Sequence, residues 1–219
     1  MDAKEFYDED YYENGVLSKK SCYVSYRWMP ELTIKMAHVI VRYLKIPDND
    51  TILDFGCAKG YIVKSLRILG INAFGCDISE YAIKSVDSDV KDYCFLVKNN
   101  IFENGNKYNW LITKDVLEHM NESDIDKLLD QSLNNVNNMF HVIPLGDNGK
   151  FIVPEYHDDP SHIQIQSKDW WIAKFKERGW NTVNFDYKVN GIKDNWTEKY
   201  EFGNGYFTLA KSNKGLEVA

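Results

Sequence analysis

Paired cysteines are missing: Cys22, Cys57, Cys76 and Cys94 lie scattered along the chain, with no C-x-x-C pair. That excludes a zinc-ribbon or disulfide framework and fits small core thiols in a reducing compartment. Long apolar runs are missing too, since none approaches the roughly 20 residues that span a bilayer. The first ten residues are acidic and carry no apolar signal core. No membrane partner is expected, and the expected location is the cytoplasm, a host's cytoplasm if the protein is viral. Positive charge is in deficit, with 26 Lys and Arg against 33 Asp and Glu and a net charge of −7. A nucleic-acid backbone demands clustered cations, so nucleic acid is not expected as the main partner. No internal repeat is present, and nothing in the sequence sets the oligomeric state.

What is present suits one α/β domain, residues 1–219, large enough to bury a proper core. Apolar runs alternate with helical patterns from residue 51 onward. Strands are expected over 51–55, 73–76, 93–98, 110–114, 139–144, 182–189 and 206–211, the last two as an antiparallel hairpin. Helices are expected over 59–69, 79–85, 122–134 and 167–178. Ser79 and Ser167 supply N-caps, and Gly70 and Gly179 supply stops. The fold class is therefore a Rossmann-like, doubly wound sheet of seven strands, mostly parallel, forming a body over 51–219. Residues 1–50 form an N-terminal cap: an aromatic-rich lead-in over 7–27 and a helix over 31–44. Within it Asp8-Glu9-Asp10 reads as a solvated turn, residues 134–138 further on as a polar connector, and residues 146–150 as a loop.

The first strand runs into Asp54-Phe55-Gly56-Cys57-Ala58-Lys59-Gly60, and Asp77 closes the second apolar run. Gly56 and Gly60 permit a tight turn and close approach of a ligand to the following helix N-terminus. A carboxylate about 20 residues on, at the tip of the neighbouring strand, suits a ribose diol. The dinucleotide pattern G-x-G-x-x-G fails, because the small residues stand at 56, 58 and 60 and position 61 is Tyr. The run instead resembles the (D/E)-x-G-x-G-x-G signature of class I S-adenosylmethionine-dependent methyltransferases, with Ala58 in place of the middle glycine. Gly75-Cys76-Asp77-Ile78-Ser79 looks like the second motif of that family.

The resemblance implies the seven-stranded methyltransferase sheet, S-adenosylmethionine as cofactor and S-adenosylhomocysteine as product. It implies cofactor contacts from Asp54, Gly56, Cys57, Ala58, Gly60, Asp77 and Ile78. It also implies that Asn100 (or Asn99) binds the adenine and that Ile101 packs on the ring. Asp115-Val116-Leu117-Glu118-His119 resembles the D-V-L-E-H run of many small-molecule methyltransferases, which sets Asp115 beneath the sulfonium and the acceptor. Glu118 and His119 are read first as shaping the turn, with His119 also a candidate on the acceptor side.

Methyl transfer to oxygen is an in-line displacement, and the protein supplies orientation and a base for the hydroxyl. Asp159-Pro160-Ser161-His162 looks like a D-P-[ST]-H segment of some sugar-directed methyltransferases. His162 is the leading candidate base and His157 the second, because histidine titrates near neutrality. Tyr26, Arg27 and Trp28 in the cap are candidate acceptor contacts. Glu155, His157, Asp158, Asp159 and His162 offer metal-type donors, as do Asp115, Asp147 and Asn148. Neither group has diagnostic spacing, and no metal is assigned.

Six tryptophans and 14 tyrosines add flat faces of the kind that line sugar sites. The cap and the D-P-S-H loop resemble sugar O-methyltransferases of bacteria and large DNA viruses, a chlorovirus rhamnose-methylating domain among them. The expected acceptor is therefore a hydroxyl of a glycan or another small molecule. Two alternatives stand. A nucleic-acid or other N-methyltransferase would want an (N/D/S)-P-P-(Y/F) run where Lys114-Asp115-Val116-Leu117 is found. A catalytically silent S-adenosylmethionine-binding scaffold would bind the cofactor without turnover.

Overall fold

The computed structural model describes residues 3–98, 100–102 and 105–212. Three short helices come first, α1 (Ala3–Phe6), α2 (Glu9–Glu13) and α3 (Gly15–Ser18), and then the long α4 (Pro30–Leu44), with proline at its first turn. The body follows as β1 (Thr51–Phe55), α5 (Tyr61–Ile68), β2 (Asn72–Asp77), α6 (Glu80–Lys84), β3 (Cys94–Leu96) and β4 (Tyr108–Lys114). Next come α7 (Glu122–Ser132), β5 (Val136–Pro144), a two-stranded ribbon β6 (Gly146–Asp147) and β7 (Lys150–Phe151), and α8 (Lys168–Glu177). The described chain ends with β8 (Trp180–Asp186), α9 (Asp194–Lys199) and β9 (Asn204–Lys211).

Seven strands form one sheet in the order β3-β2-β1-β4-β5-β9-β8. The first five are parallel, and β9 runs antiparallel between β5 and β8. This is the expected Rossmann-like methyltransferase architecture. Strand alternation divides the core between the two faces. Leu53, Leu111 and Met139 pack with Ile125, Leu128, Trp171 and Phe175 from α7 and α8. Their neighbours Ile52, Ile112 and Phe140 pack with Ala37, Ile40, Val63 and Leu66 from α4 and α5. Order in the sheet reverses direction between β1 and β4, and ligands of doubly wound sheets bind at the strand ends beside such a switch.

The structure corrects several sequence expectations. Asp8-Glu9-Asp10 begins α2: Asp8 is its N-cap, accepts the Tyr11 N–H at 3.1 Å and pairs with Lys20. From Val136 the polar run at 134–138 already belongs to β5, because fully buried Val136 pairs with Tyr108 while Asn137 faces solvent; residues 134 and 135 form the turn before it. The loop at 146–150 closes the β6–β7 ribbon. The third strand shortens to Cys94–Leu96 because residues 91–93 wind into a 3₁₀ turn. The last two strands are antiparallel as expected, but α9 stands between them.

Candidate active site

Three strand ends converge on one cavity of about 960 Å³. From β1 the chain enters the turn 56–60, where the N–H groups of Gly56 and Cys57 both donate to the carbonyl of Cys76, at 2.8 and 3.0 Å. Gly56 has φ +81, and a Cβ there would stand 2.5 Å from a methyl of Val116. Ala58, in the position of the middle glycine, also adopts the left-handed region, at φ 48. Its N–H donates to Asp77 Oδ2 at 2.8 Å, and the N–H of Ser79 donates to Asp77 Oδ1 at 2.8 Å. Asp77 therefore braces the glycine turn with one oxygen and the start of α6 with the other, and a carboxylate so placed keeps acceptor capacity for a ligand. Burial raises its pKa, and the backbone N–H groups around it oppose the rise.

Asp54 lies below the same turn. It is 2% exposed, and its Oδ2 has no hydrogen-bond partner among the described residues. Burial, with the nearby Asp77 charge adding, pushes its carboxyl up to about 7. An orphaned buried carboxyl beside a glycine turn fits the ammonium group of an amino-acid ligand, which would supply the missing donor. Gly56, Cys57, Ala58, Asp77, Ile78 and Ile101 also line the cavity. Gly60 lies just behind it as the N-cap of α5, at φ +75. Asn100 is not on the wall; its side-chain oxygen accepts the N–H of Phe102 at 2.9 Å. Asn99 lies outside the described residues.

At the end of β4, Asp115 lines the cavity with φ 54, a strained conformation for a non-glycine residue. Its two oxygens are claimed by Lys114 and by Lys193, whose side chain is 5% exposed. These cations hold its carboxyl well below the usual carboxylate range, against burial. Nothing in the sequence announced Lys193, which lies 78 residues further on in the segment read as a plain hairpin connection.

After Asp115 a 3₁₀ turn, residues 117–119, carries Glu118 and His119. Glu118 shapes the turn, as expected, through its carbonyl, which accepts the N–H groups of Ile163 and Gln164 at 2.8 and 2.9 Å. Its carboxyl is fully buried, neither oxygen has a hydrogen-bond partner among the described residues, and burial raises its pKa. His119 lines the cavity and bonds Ser161 Oγ through Nδ1 at 2.8 Å. Burial, assisted by neighbouring His162, lowers its pKa to about 4, so the ring is neutral at pH 7.

His162 stands behind His119, ring centroids 4.5 Å apart, with Nδ1 2.6 Å from the carbonyl of Tyr156. It is not on the cavity wall. His157 is further away and accepts the N–H of Phe151 through Nε2 at 3.1 Å, which gives it a loop-holding role.

The cap supplies the opposite wall. Tyr7, Tyr11, Tyr12, Tyr23, Tyr26 and Arg27 all face the cavity. Tyr11 Oη donates to Asp159 Oδ2 at 3.2 Å, and Glu13 pairs with Lys59 of the glycine turn. Trp28, expected beside Arg27, turns away: its ring packs on Tyr61 and under the Lys64 ammonium, 5.2 Å from the centroid. The four tyrosines ahead of Tyr26 were legible only as aromatic density, because their convergence depends on how α1–α3 fold back.

Comparison with known proteins agrees with this geometry. The family description "Methyltransferase domain" matches residues 28–184, well over half of the chain. The chain belongs to the methyltransferase-domain family. Solved structures share the fold of this S-adenosylmethionine-dependent methyltransferase. A SAM-dependent methyltransferase from Archaeoglobus fulgidus superposes with a TM-score of 0.59 at 15% identity, over 83% of this chain and 96% of that one. Magnesium protoporphyrin IX methyltransferase from Synechocystis PCC 6803 with bound SAH gives 0.58 at 14%, over 82% and 83%. Mitomycin 7-O-methyltransferase gives 0.61 at 11%, over 82% of this methyltransferase but 54% of its own length. Comparison with the curated proteins finds no match. No helix among the described residues is long and apolar enough to cross a membrane.

Proposed function

We propose that this methyltransferase is an O-methyltransferase acting on a hydroxyl of a sugar, a glycan or another small molecule. The observation that carries the reading is the neutral imidazole of His119 on the wall of a tyrosine-lined cavity shared with the glycine turn, Asp54 and Asp77. Tyrosine faces suit both the positive sulfonium and the apolar faces of a sugar ring. Arg27 on the same wall offers donors to acceptor oxygens. In this reading Asp77 takes the ribose hydroxyls, Asp54 the ammonium group, and Ile101 the adenine. An acceptor oxygen forms its bond to the methyl carbon as the sulfur–carbon bond breaks. The electron pair of that bond returns to sulfur, giving S-adenosylhomocysteine, and the hydroxyl proton passes to solvent beside the His119–His162 pair. That one of the solved relatives is a mitomycin 7-O-methyltransferase agrees with oxygen as acceptor.

The test is transfer of a labelled methyl group from S-adenosylmethionine to a panel of monosaccharides, nucleotide sugars and phenols, with RNA and DNA alongside. Stoichiometric S-adenosylhomocysteine and a methyl ether on a hydroxyl acceptor are expected. Label found only on nucleic-acid bases would refute the reading. Cofactor binding without turnover on any acceptor would favour a silent scaffold.

A further inference from the structure

Glu118, His119 and His162 bring three ligand atoms within 4.8 Å of one another. The hydrogen bonds around them fix the state of each. The Tyr156 carbonyl can only accept, so Nδ1 of His162 carries the proton in their 2.6 Å bond. Ser161 Oγ donates its hydrogen to Asp159 Oδ1 at 2.5 Å, so Nδ1 of His119 must donate to that hydroxyl. With Nδ1 so occupied in each ring, the nitrogen left to offer a lone pair is Nε2. A protonated ring nitrogen anchored on a carbonyl, or on a hydroxyl backed by a carboxylate, is the outer support that metal-ligating histidines have.

Glu118 is the second observation. Its side chain is fully buried beside these rings, and neither carboxyl oxygen has a hydrogen-bond partner among the described residues. A buried carboxyl without a partner either holds a proton or needs a cation to meet its charged form, and a bound cation would displace that proton. Lys114 and Lys193, the nearest cations, are committed to Asp115.

We infer that Glu118, His119 and His162 form a site for one divalent first-row transition ion, on the wall of the acceptor cavity, where the ion takes the acceptor oxygen. Two imidazoles and one carboxylate suit manganese, iron(II), cobalt or zinc better than magnesium or calcium, which prefer oxygen-only sets. An ion with ligands at about 2.1 Å brings neighbouring donors to roughly 3–3.5 Å apart, so the triad tightens on binding. Three protein ligands leave positions open for an acceptor, and His119 is the ligand that reaches the cavity. This inference rests on the O-methyltransferase reading for its role, not for the binding itself. Coordination lowers the pKa of the acceptor hydroxyl, whose proton passes to solvent, and the resulting oxygen attacks the methyl group as the sulfur–carbon bond breaks.

The experiment is calorimetric titration of chelator-treated protein with MnCl₂ and with CoCl₂, with S-adenosylhomocysteine titrated in parallel. One ion per chain is expected, with the visible spectrum of cobalt bound to nitrogen and oxygen. Glu118→Gln, His119→Ala and His162→Ala should each weaken metal binding at least about tenfold, while S-adenosylhomocysteine affinity changes little. His38→Ala, on the exposed face of α4, controls for stray surface histidines. Circular dichroism identifies any variant that fails to fold, and isosteric Glu118→Gln is the one chosen to keep the fold. Absent binding of both ions, or binding undiminished in all three variants, overturns the site. Full hydroxyl methylation in excess chelator overturns its role. Metal binding without methylation of any hydroxyl acceptor instead sinks the O-methyltransferase reading and leaves the site standing.

Discussion

The carboxylate of Asp77 accepts the backbone N–H of Ala58 at 2.8 Å, tying the tip of β2 to the glycine turn that follows β1. One side chain thus holds the shape of the turn and, in the proposed reading, also takes the ribose hydroxyls of the cofactor. Asp77→Ala should weaken S-adenosylmethionine binding tenfold or more, because a charged acceptor with two donors contributes about 1.5–3 kcal/mol. Calorimetry decides it, and unchanged affinity would remove Asp77 from the cofactor site.

Ala58 has φ 48, a region that costs a residue with a Cβ roughly 1–2 kcal/mol. Ala58→Gly relieves that strain but gains about 0.4–1 kcal/mol of unfolded-chain freedom. The expected net result is a stabilisation of about 0.5 kcal/mol, seen as a higher urea midpoint at constant slope. A clear loss of stability would show that the Ala58 methyl contributes packing that outweighs the strain.

In the proposed reading, with Asp54 on the cofactor ammonium, this residue ties cofactor affinity to pH. Its carboxyl is raised to about 7 in the free protein, above the ordinary value of 3.8. The raised value means that the folded protein binds this proton more tightly than the unfolded chain. Its contribution to stability is therefore complete below about pH 4 and lost as pH rises through 7. A cofactor ammonium needs the charged form, so affinity should fall by up to about tenfold per pH unit below 7 as a proton must be released. Calorimetry in buffers of different ionisation enthalpy reads that proton, and Asp54→Asn should abolish the dependence.

Asp115 neutralises Lys193 in a site where the lysine is nearly inaccessible. Asp115→Ala strands that cation and should destabilise the fold by about 3 kcal/mol, on top of any loss of turnover. Because the folded carboxyl titrates well below the usual range, the contribution is full at neutral pH and fades as pH falls through and below that range. Equal melting temperatures of wild type and Asp115→Ala at pH 7 would contradict the pairing.

Removing residues 1–28 should abolish methyl transfer and leave the body folded. Tyr11 and Tyr12 form an aromatic cluster with Ala82 and the neighbouring cap tyrosines, separate from the two cores that flank the sheet. Deletion therefore strips the cavity wall without opening either core. Cooperative unfolding with no turnover is expected, and a truncated protein with full activity would show that the cap is dispensable.

The sheet and the cofactor turn were legible because their signals are local. Strand alternation, the spacing of Gly56, Ala58 and Gly60, and the acid at Asp77 each follow from a few consecutive residues and from backbone geometry. Strand ends moved by a few residues because pairing, as for Val136 with Tyr108, sets where a strand stops. The helix α9 was missed because it lies in an irregular stretch without strong periodicity, entered through Lys193 in a left-handed conformation. Other features depended on distance in the chain. The ion pair of Lys193 with Asp115, the approach of His119 to His162, and the bond from Tyr11 to Asp159 join segments 40 to almost 150 residues apart. No local pattern encodes which of the many charged and aromatic side chains meet across such separations. The sequence by itself determined a methyltransferase body with its cofactor turn. Only tertiary packing decided which histidine faces the cavity, which carboxyl is buried without a partner among the described residues, and that Trp28 packs on Tyr61 and Lys64 instead of lining the cavity.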